Sequence, residues 1–317
     1  MSFRVLGTGK YVPSKVVTND ELSTLIDTSD EWIVKRVGVK ERRICTTESA
    51  SDLAYQAALN ALENANVKPE ELDMILCTTV SGETVSPSMS SMVQKYLGAT
   101  CPAMDINAAC SAFIFMLETA AGYFARKKVK KMLVIGTEQM SRIVDWDDRA
   151  TCVIFGDGAG ALVLGEGDNF LNSKLNSFGG NEVINIPNFV GKSPFYKKEA
   201  QDPYIFMNGQ ETFKFAVNAM CKDLQYVVDD LGLTFDDISM IVPHQANTRI
   251  IDFAVKRLKV ERERIYVNID KYGNTSSASI PIALDELNRA GKLKHDDLIA
   301  MTAFGGGLSS AACILRW

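Results

Sequence analysis

The chain has 317 residues, 46% of them hydrophobic and 23% charged, with 34 Lys and Arg against 39 Asp and Glu for a formal net charge of −5. That composition is globular, the charge argues against general nucleic-acid binding, and no apolar run is long enough to span a bilayer. The seven cysteines (45, 77, 101, 110, 152, 221, 313) are scattered without a CxxC pair, which suggests neither a zinc site nor a disulfide scaffold and fits a reducing cytoplasm.

The N-terminal MSFRVLGTGKYVP lacks a signal peptide's apolar core and reads as a first strand ending in a Gly turn. Two capping boxes, Thr18 with Glu21 and Thr28 with Glu31, open short helices. The second helix carries Trp32 and Arg36 on one face. Alone, that pattern reads as a solvated helix with a half-buried Trp, though a flat ring beside a cation also suits an adenine and its phosphates. Ser51 to Val67 is an amphipathic helix, Leu72 to Thr79 a strand, Val80 to Pro87 a polar loop and Ser88 to Leu97 a helix. A short strand from Met104 to Ala109 then turns at once into a helix that is apolar nearly all round, with a charge before Arg126 only at Glu118. Cys110 falls at that junction, where free N–H groups and the helix dipole are expected to lower a thiol's pKa. The bland alternative is a small buried hydrophobe.

Lys131 to Thr137 has the composition of a buried strand. Beyond Asp147, Asp148 and Arg149, TCVIFGDGAGALVLG reads as two strands joined by a Gly-rich turn; it lacks the spacing of a dinucleotide loop. Residues 179–209 form one long irregular segment, of the kind that serves a binding site or moves. A helix from Glu211 to Leu231 follows, then a strand from Ile238 to Pro243 that runs into His244, and a helix from Asn247 to Leu258. A strand from Ile265 to Ile269, the turn KYGNTSSASIP, a helix from Ile280 to Ala290 and two strands joined across FGGGLSS complete the chain.

The two parts of the chain echo each other. ENANVKPEELDMILCTT matches DDLGLTFDDISMIVPHQ with Leu72 over Ile238, an offset of 166, and ARKKVKKMLVIGT matches AGKLKHDDLIAMT with Leu133 over Leu298, an offset of 165. FGDGAG over FGGGLS is a third, shorter-offset echo. Together they predict a duplicated α/β fold, residues 1–170 and 171–317, related by an approximate two-fold. At an offset of 165, Cys110 corresponds to Thr275, beside Asn274. Strand ends of both halves then meet, and Cys110, His244 and Asn274 meet with them. Of the two histidines, His295 lies in a polar stretch, whereas His244 ends an apolar strand. A thiol and an imidazole at matching strand ends suit nucleophilic catalysis. An Asn amide donates hydrogen bonds without titrating, as an oxyanion site needs, and Gly305 to Gly307 permit close backbone approach.

DINAACSAF around Cys110, VPHQANTR around His244, YGNTSSASIP around Asn274 and the closing FGGG resemble the beta-ketoacyl-acyl carrier protein synthase III family, along essentially the whole chain. The resemblance implies a thiolase-like layered αβαβα fold, a homodimer and decarboxylative condensation of an acyl-CoA primer with malonyl-acyl carrier protein, with no tightly bound cofactor. It makes Cys110 the acyl carrier, His244 and Asn274 the holders of the malonyl thioester oxygen, and the N–H groups of Cys110 and Gly306 a second oxyanion site. It assigns Trp32, Arg36 and Arg149 to the CoA adenine and phosphates and Met207, Gly209, Phe213 and Asn247 to the pantetheine tunnel. The carrier-protein patch becomes Lys214, Gln245, Ala246, Asn247, Thr248, Arg249, Lys256 and Arg257, and the acyl pocket Ser86 and Phe304. Phe304 stands where degradative thiolases carry a second cysteine, and Asn274 where elongating synthases carry a second histidine. The chain departs from the family at Ser111-Ala112, in LSSAA, and at Ser86, where relatives carry a bulkier residue that limits primer length across the dimer. A chalcone synthase-like condensing enzyme and, more remotely, a Cys-His-Asn hydrolase are the alternatives.

Overall fold

A computed structural model describes residues 2–188, 194–195 and 202–317. The first sheet is built from β1 (Ser2–Tyr11), β2 (Met74–Thr78), β3 (Ala103–Asp105), β4 (Lys131–Gln139) and β5 (Asp157–Gly167), in the order β1-β5-β4-β2-β3. The second holds β6 (Phe170–Ser177), β7 (Met240–Pro243), β8 (Leu298–Gly305) and β9 (Ser309–Arg316), in the order β7-β8-β9-β6. Read in reverse, the second order repeats the first strand for strand: β2–β4 and β7–β8 are both parallel, and β4–β5 and β8–β9 are both antiparallel. Only β3 lacks a full counterpart. The strand expected over 265–269 does not form; Ile265 makes a single bridge to Ile241, and Ile269 opens the short helix Ile269–Tyr272.

The helices are α1 (Asp30–Arg36), α2 (Ala50–Ala65), α3 (Met89–Leu97), α4 (Ala112–Ala125), α5 (Gly209–Asp229), α6 (Thr248–Leu258) and α7 (Ser279–Arg289). α4 and α7 lie between the sheets. Phe113, Met116 and Leu117 of α4 and Leu284 and Leu287 of α7 share one core with Leu76 and Met132 of the first sheet and Val242 and Met301 of the second. Burial on all sides but the stripe of Glu118, Gly122 and Ala125 explains why α4 is apolar nearly all round. Along β4, Met132 and Val134 face that central layer, whereas Leu133 and Ile135 face outward under Leu53, Ala57 and Ala61 of α2. Both faces of the strand are covered, so its sequence shows no polar alternation. α5 covers the second sheet in the same way, with Leu224 and Val228 over Ile241 and Ala300. The result is the five-layer αβαβα arrangement. Each fully buried Leu, Ile or Val in it is worth about 1.5–3 kcal/mol of burial.

Three local expectations are corrected. α1 is capped by Ser29, whose Oγ accepts from Trp32 N–H at 3.2 Å, while the Thr28 hydroxyl is buried without a hydrogen-bond partner. TCVIFGDGAGALVLG yields one strand, β5, preceded by turns. Its glycines let α7 lie directly on β5: a Cβ on Gly160 would sit 2.6 Å from the Ile282 nitrogen. The irregular segment 179–209 is closed at its base by a two-stranded pairing of Ile184–Asn185 with Phe206–Met207, and part of its interior lies outside the described residues. Among the described residues, no helix is long and apolar enough to cross a membrane.

Candidate active site

The duplication has its clearest expression in two turns. In the first, the Ala109 N–H donates to Asn107 Oδ1 at 3.0 Å; in the second, the Ser276 N–H donates to Asn274 Oδ1 at 2.8 Å. Ala109 and Ser276 both hold left-handed φ angles, +49° and +48°. Each turn leads through a short 3-10 segment into a central helix, α4 or α7. The structural offset here is 167, from Ala109 to Ser276, so Cys110 lies over Ser277 and Asn107 over Asn274, two residues from the register that the sequence echoes suggest. One copy presents a thiol and the other an amide.

Because Asn274 Oδ1 is occupied by the Ser276 N–H, its amide orientation is set and its NH2 remains for the cavity. His244 follows β7 directly, with its N–H donating to the Thr302 carbonyl at 2.7 Å. Its Nδ1 lies 2.8 Å from Ser279 Oγ at the start of α7, and that oxygen also accepts from the Gln245 N–H at 3.3 Å. We assign the tautomer in which the Ser279 O–H donates to Nδ1 and the imidazole proton sits on Nε2, since Ser279 Oγ already accepts from Gln245. Phe304 packs edge-on against the ring, with centroids 5.4 Å apart. Burial holds the His244 pKa down at about 3, so the imidazole is neutral.

Cys110 is half-buried, and its thiol pKa is pushed up to about 12. This reverses the expected direction. Loss of water around the sulfur is the largest cause, and the buried Glu138 carboxylate adds to it; the Ser276 hydroxyl, 3.3 Å from Sγ, works against both. Gly305 at the end of β8 backs directly onto this turn, since a Cβ there would lie 2.7 Å from the Cys110 nitrogen. Gly306 follows it, half-buried beside Ala109 and Ile184.

Cys110, His244, Asn274, Phe304 and Gly305 line one cavity of about 740 Å³. Trp32, Arg36, Arg149, Met207, Gly209, Phe213, Lys214, Ala246, Asn247 and Arg249 line the same cavity. The Trp32 and Arg149 side chains approach each other, with the guanidinium 5.6 Å from the ring centroid, and Arg149 also pairs with Asp27 at 3.1 Å. Arg249 lies over the Phe213 ring at 5.6 Å. Asn247 caps α6 through the Arg249 N–H and donates to the Arg36 carbonyl at 3.2 Å, so α6 and α1 are tied together at this wall. Thr248 extends the tie, its Oγ1 donating to the Val37 carbonyl at 3.1 Å.

One assignment does not fit the structure. Gln245 is 1% exposed; its amide NH2 donates to the Pro243 and Tyr266 carbonyls and its Oε1 accepts from the Asn268 N–H. It braces the His244 loop and presents nothing to a carrier protein. Ser86 is exposed and does not line the cavity of its own chain. Lys256 and Arg257 are exposed on α6, Arg257 bonded to Asn218 Oδ1 at 2.8 Å. Sequence reasoning missed Ser276, Ser279 and Glu138. The signal for the two serines was present in NTSSAS, and a strict alignment of the duplicated turns exposes it. Among the described residues, no group of three or more His, Cys, Asp or Glu side chains is placed to hold a metal.

The description of 3-oxoacyl-[acyl-carrier-protein (ACP)] synthase III matches residues 104–179, and that of its C-terminal part matches residues 228–317. The beta-ketoacyl-[acyl-carrier-protein] synthase III of Clostridium acetobutylicum is 46% identical over 321 residues, spanning 100% of this chain and 99% of the relative. The crystal structure of the Aquifex aeolicus 3-oxoacyl-[acyl-carrier-protein] synthase III has a TM-score of 0.93 at 44% identity, with 99% and 100% of the two chains covered. The priming beta-ketosynthase of the R1128 polyketide pathway has a TM-score of 0.92 at 34% identity, with 99% and 96% covered. The chain belongs to the 3-oxoacyl-[acyl-carrier-protein] synthase III family.

Proposed function

We propose that this chain is an initiating condensing enzyme of fatty acid synthesis, which takes an acyl group from acyl-CoA onto Cys110 and joins it, with loss of carbon dioxide, to malonyl-acyl carrier protein. The observation that carries the site assignment is that Cys110 from one half and His244 and Asn274 from the other line a single cavity. The residue types fit the chemistry. Decarboxylation itself generates the carbanion, so no strong base has to remove a carbon-bound proton. The step needs hydrogen-bond donors at the developing enolate oxygen. A neutral His244 with its proton on Nε2 and the free NH2 of Asn274 supply two. The enolate carbon then attacks the acyl-Cys110 thioester, whose oxyanion is held by the Cys110 and Gly306 N–H groups, and collapse releases 3-oxoacyl-acyl carrier protein.

Trp32, Arg36 and Arg149 form the CoA mouth, and Met207, Gly209, Phe213 and Asn247 the pantetheine wall. Lys214, Arg249, Lys256 and Arg257 give an otherwise acidic protein a basic patch for an acidic carrier protein. The protein acts as a cytoplasmic homodimer without a tightly bound cofactor. The small, exposed Ser86 in the 80–87 loop faces the partner's acyl pocket in that dimer and admits branched or longer primers. The likeness to a polyketide priming ketosynthase favours one second reading, in which the same chemistry starts a secondary metabolite. The test is turnover of a panel of acyl-CoA primers with malonyl-acyl carrier protein. Formation of 3-oxoacyl-acyl carrier protein, best with four- to eight-carbon primers, is expected. No product with any primer would overturn the assignment, and a preference for acetyl-CoA would overturn the reading of Ser86.

A further inference from the structure

Glu138 is a buried acidic group that this mechanism leaves unused. It stands near the end of β4 with no solvent exposure. Its Oε2 accepts from the Val80 N–H at 3.0 Å and the hydroxyls of Thr79 at 3.2 Å and Ser81 at 2.6 Å. Its Oε1 accepts from Ser277 at 2.7 Å and Ser276 at 3.1 Å. All of these partners are neutral. A carboxylate held in a dry site without a cation is costly, and nothing in folding the five layers requires one there.

Ser276 connects it to the chemistry. Its Oγ lies 3.3 Å from Cys110 Sγ and 3.1 Å from Glu138 Oε1. The Ser276 hydroxyl can donate to either neighbour, the sulfur or the carboxylate, but it carries one proton, so while it donates to the carboxylate its oxygen is open to the proton of the thiol. The duplicated turn shows that this is not a requirement of the backbone: Ala109, without a hydroxyl, holds the same conformation where Ser276 stands. The groups that face the thiol are the Ser276 hydroxyl, the Glu138 carboxylate behind it and the neutral imidazole of His244 across the cavity. Those that face Glu138 are the Cys110 thiol and the four hydroxyls. Burial raises the proton affinity of Glu138 and lowers that of His244, so the carboxylate is the better acceptor.

We propose that Glu138, acting through Ser276, holds the Cys110 proton during acylation. The proposal rests on Cys110 being the acyl carrier. As Sγ attacks the thioester carbon, its proton passes to Ser276 Oγ and the Ser276 proton passes to Glu138 Oε1. The S–C bond forms and the carbonyl π pair moves to oxygen. On collapse that pair returns, the bond from carbon to the CoA sulfur breaks with its electrons going to that sulfur, and the proton runs back through Ser276 to give free CoA thiol. Ser276 touches the reacting sulfur; Glu138 is a positioning residue one step behind it.

The experiment measures the rate of Cys110 acylation by acyl-CoA, by quenched-flow intact mass, across pH for wild type, Glu138→Gln, Glu138→Asp and Ser276→Ala. The expected result is a loss on the order of 10²-fold at neutral pH for Glu138→Gln and Ser276→Ala. The loss shrinks as pH rises and hydroxide takes over the proton, and Glu138→Asp recovers part of the rate. A purely electrostatic carboxylate gives the opposite sign, because removing a negative charge beside a thiol favours the thiolate. Glu138→Gln as fast as wild type or faster would therefore overturn the proposal, and so would a loss that is the same at every pH. Ser276→Ala leaves the other four donors to Glu138 in place, and it decides the matter even if Glu138→Gln does not fold. Wild-type protein that takes up no acyl group at Cys110 would overturn the underlying reading as well. Normal wild-type acylation with Ser276→Ala unchanged would overturn this proposal alone.

Discussion

His244 is 1% exposed, and its ordinary pKa of 6.5 is depressed to about 3. The imidazole is therefore neutral across the physiological range, which suits a hydrogen-bond donor from Nε2 and not an acid. Malonyl decarboxylation is expected to show no acidic limb near pH 6.5 that belongs to this residue. A rate profile with such a limb, abolished in His244→Ala, would contradict the assignment. The same depression bears on stability. Between about 3 and 6.5 the unfolded chain binds a proton at this residue and the folded chain does not, so His244 makes the fold less stable as pH falls through that window. Thermal melts of wild type and His244→Ala should converge on acidification, if the wild type is the more stable at neutral pH. Gly305 offers a second residue-scale test. Adding a methyl places its carbon 2.7 Å from the Cys110 backbone nitrogen. Gly305→Ala should retain a cooperative melt, destabilised by about 1–3 kcal/mol, and lose most acylation, because the turn carrying Cys110 has to move.

Among the elements, the paired turns before α4 and α7 carry the chemistry, and each is aimed by its helix. Ser279 at the start of α7 fixes the His244 tautomer. Ser279→Ala should lower decarboxylation by about 10- to 100-fold while leaving Cys110 acylation intact, measured as carbon dioxide release against intact mass; equal losses in both would mean that α7 itself has shifted. Asn247 caps α6 and anchors α1 through the Arg36 carbonyl. Asn247→Ala should cost about 1 kcal/mol of stability and raise the KM for acyl-CoA. Much of this level was legible in the sequence. The apolar, strand-to-helix setting of Cys110 marks α4 as central from the sequence alone. The two-residue error in the repeat register arose because loose chemical matches in β2 and β4 do not fix the turn, whereas the left-handed φ angles of Ala109 and Ser276 do. The strand expected at 265–269 read as apolar β-branched chain, yet tertiary packing closed it into a bridge and a short helix.

At the scale of the whole molecule, the duplication places catalytic groups from both halves in one cavity, and two opposing effects decide the Cys110 thiol. The Ser276 hydroxyl and a backbone hydrogen bond at Cys110 favour thiolate, but burial and Glu138 outweigh them, so the sulfur waits as a thiol. Sequence reasoning could find the helix end but not the dry wall or a carboxylate brought in from β4. The resemblance likewise placed Gln245 on a docking face with Ala246 to Arg249, when the fold buries it. Lys256→Glu tests the basic patch: it should raise the KM for malonyl-acyl carrier protein severalfold, an effect that added salt reproduces in the wild type. The most direct measurement of the central claim is peptide mapping by mass spectrometry after incubation with acyl-CoA. It should place one acyl group on Cys110 in the wild type and in His244→Ala and Asn274→Ala, with none in Cys110→Ser. An acyl group on another cysteine, or none at all, would contradict the account.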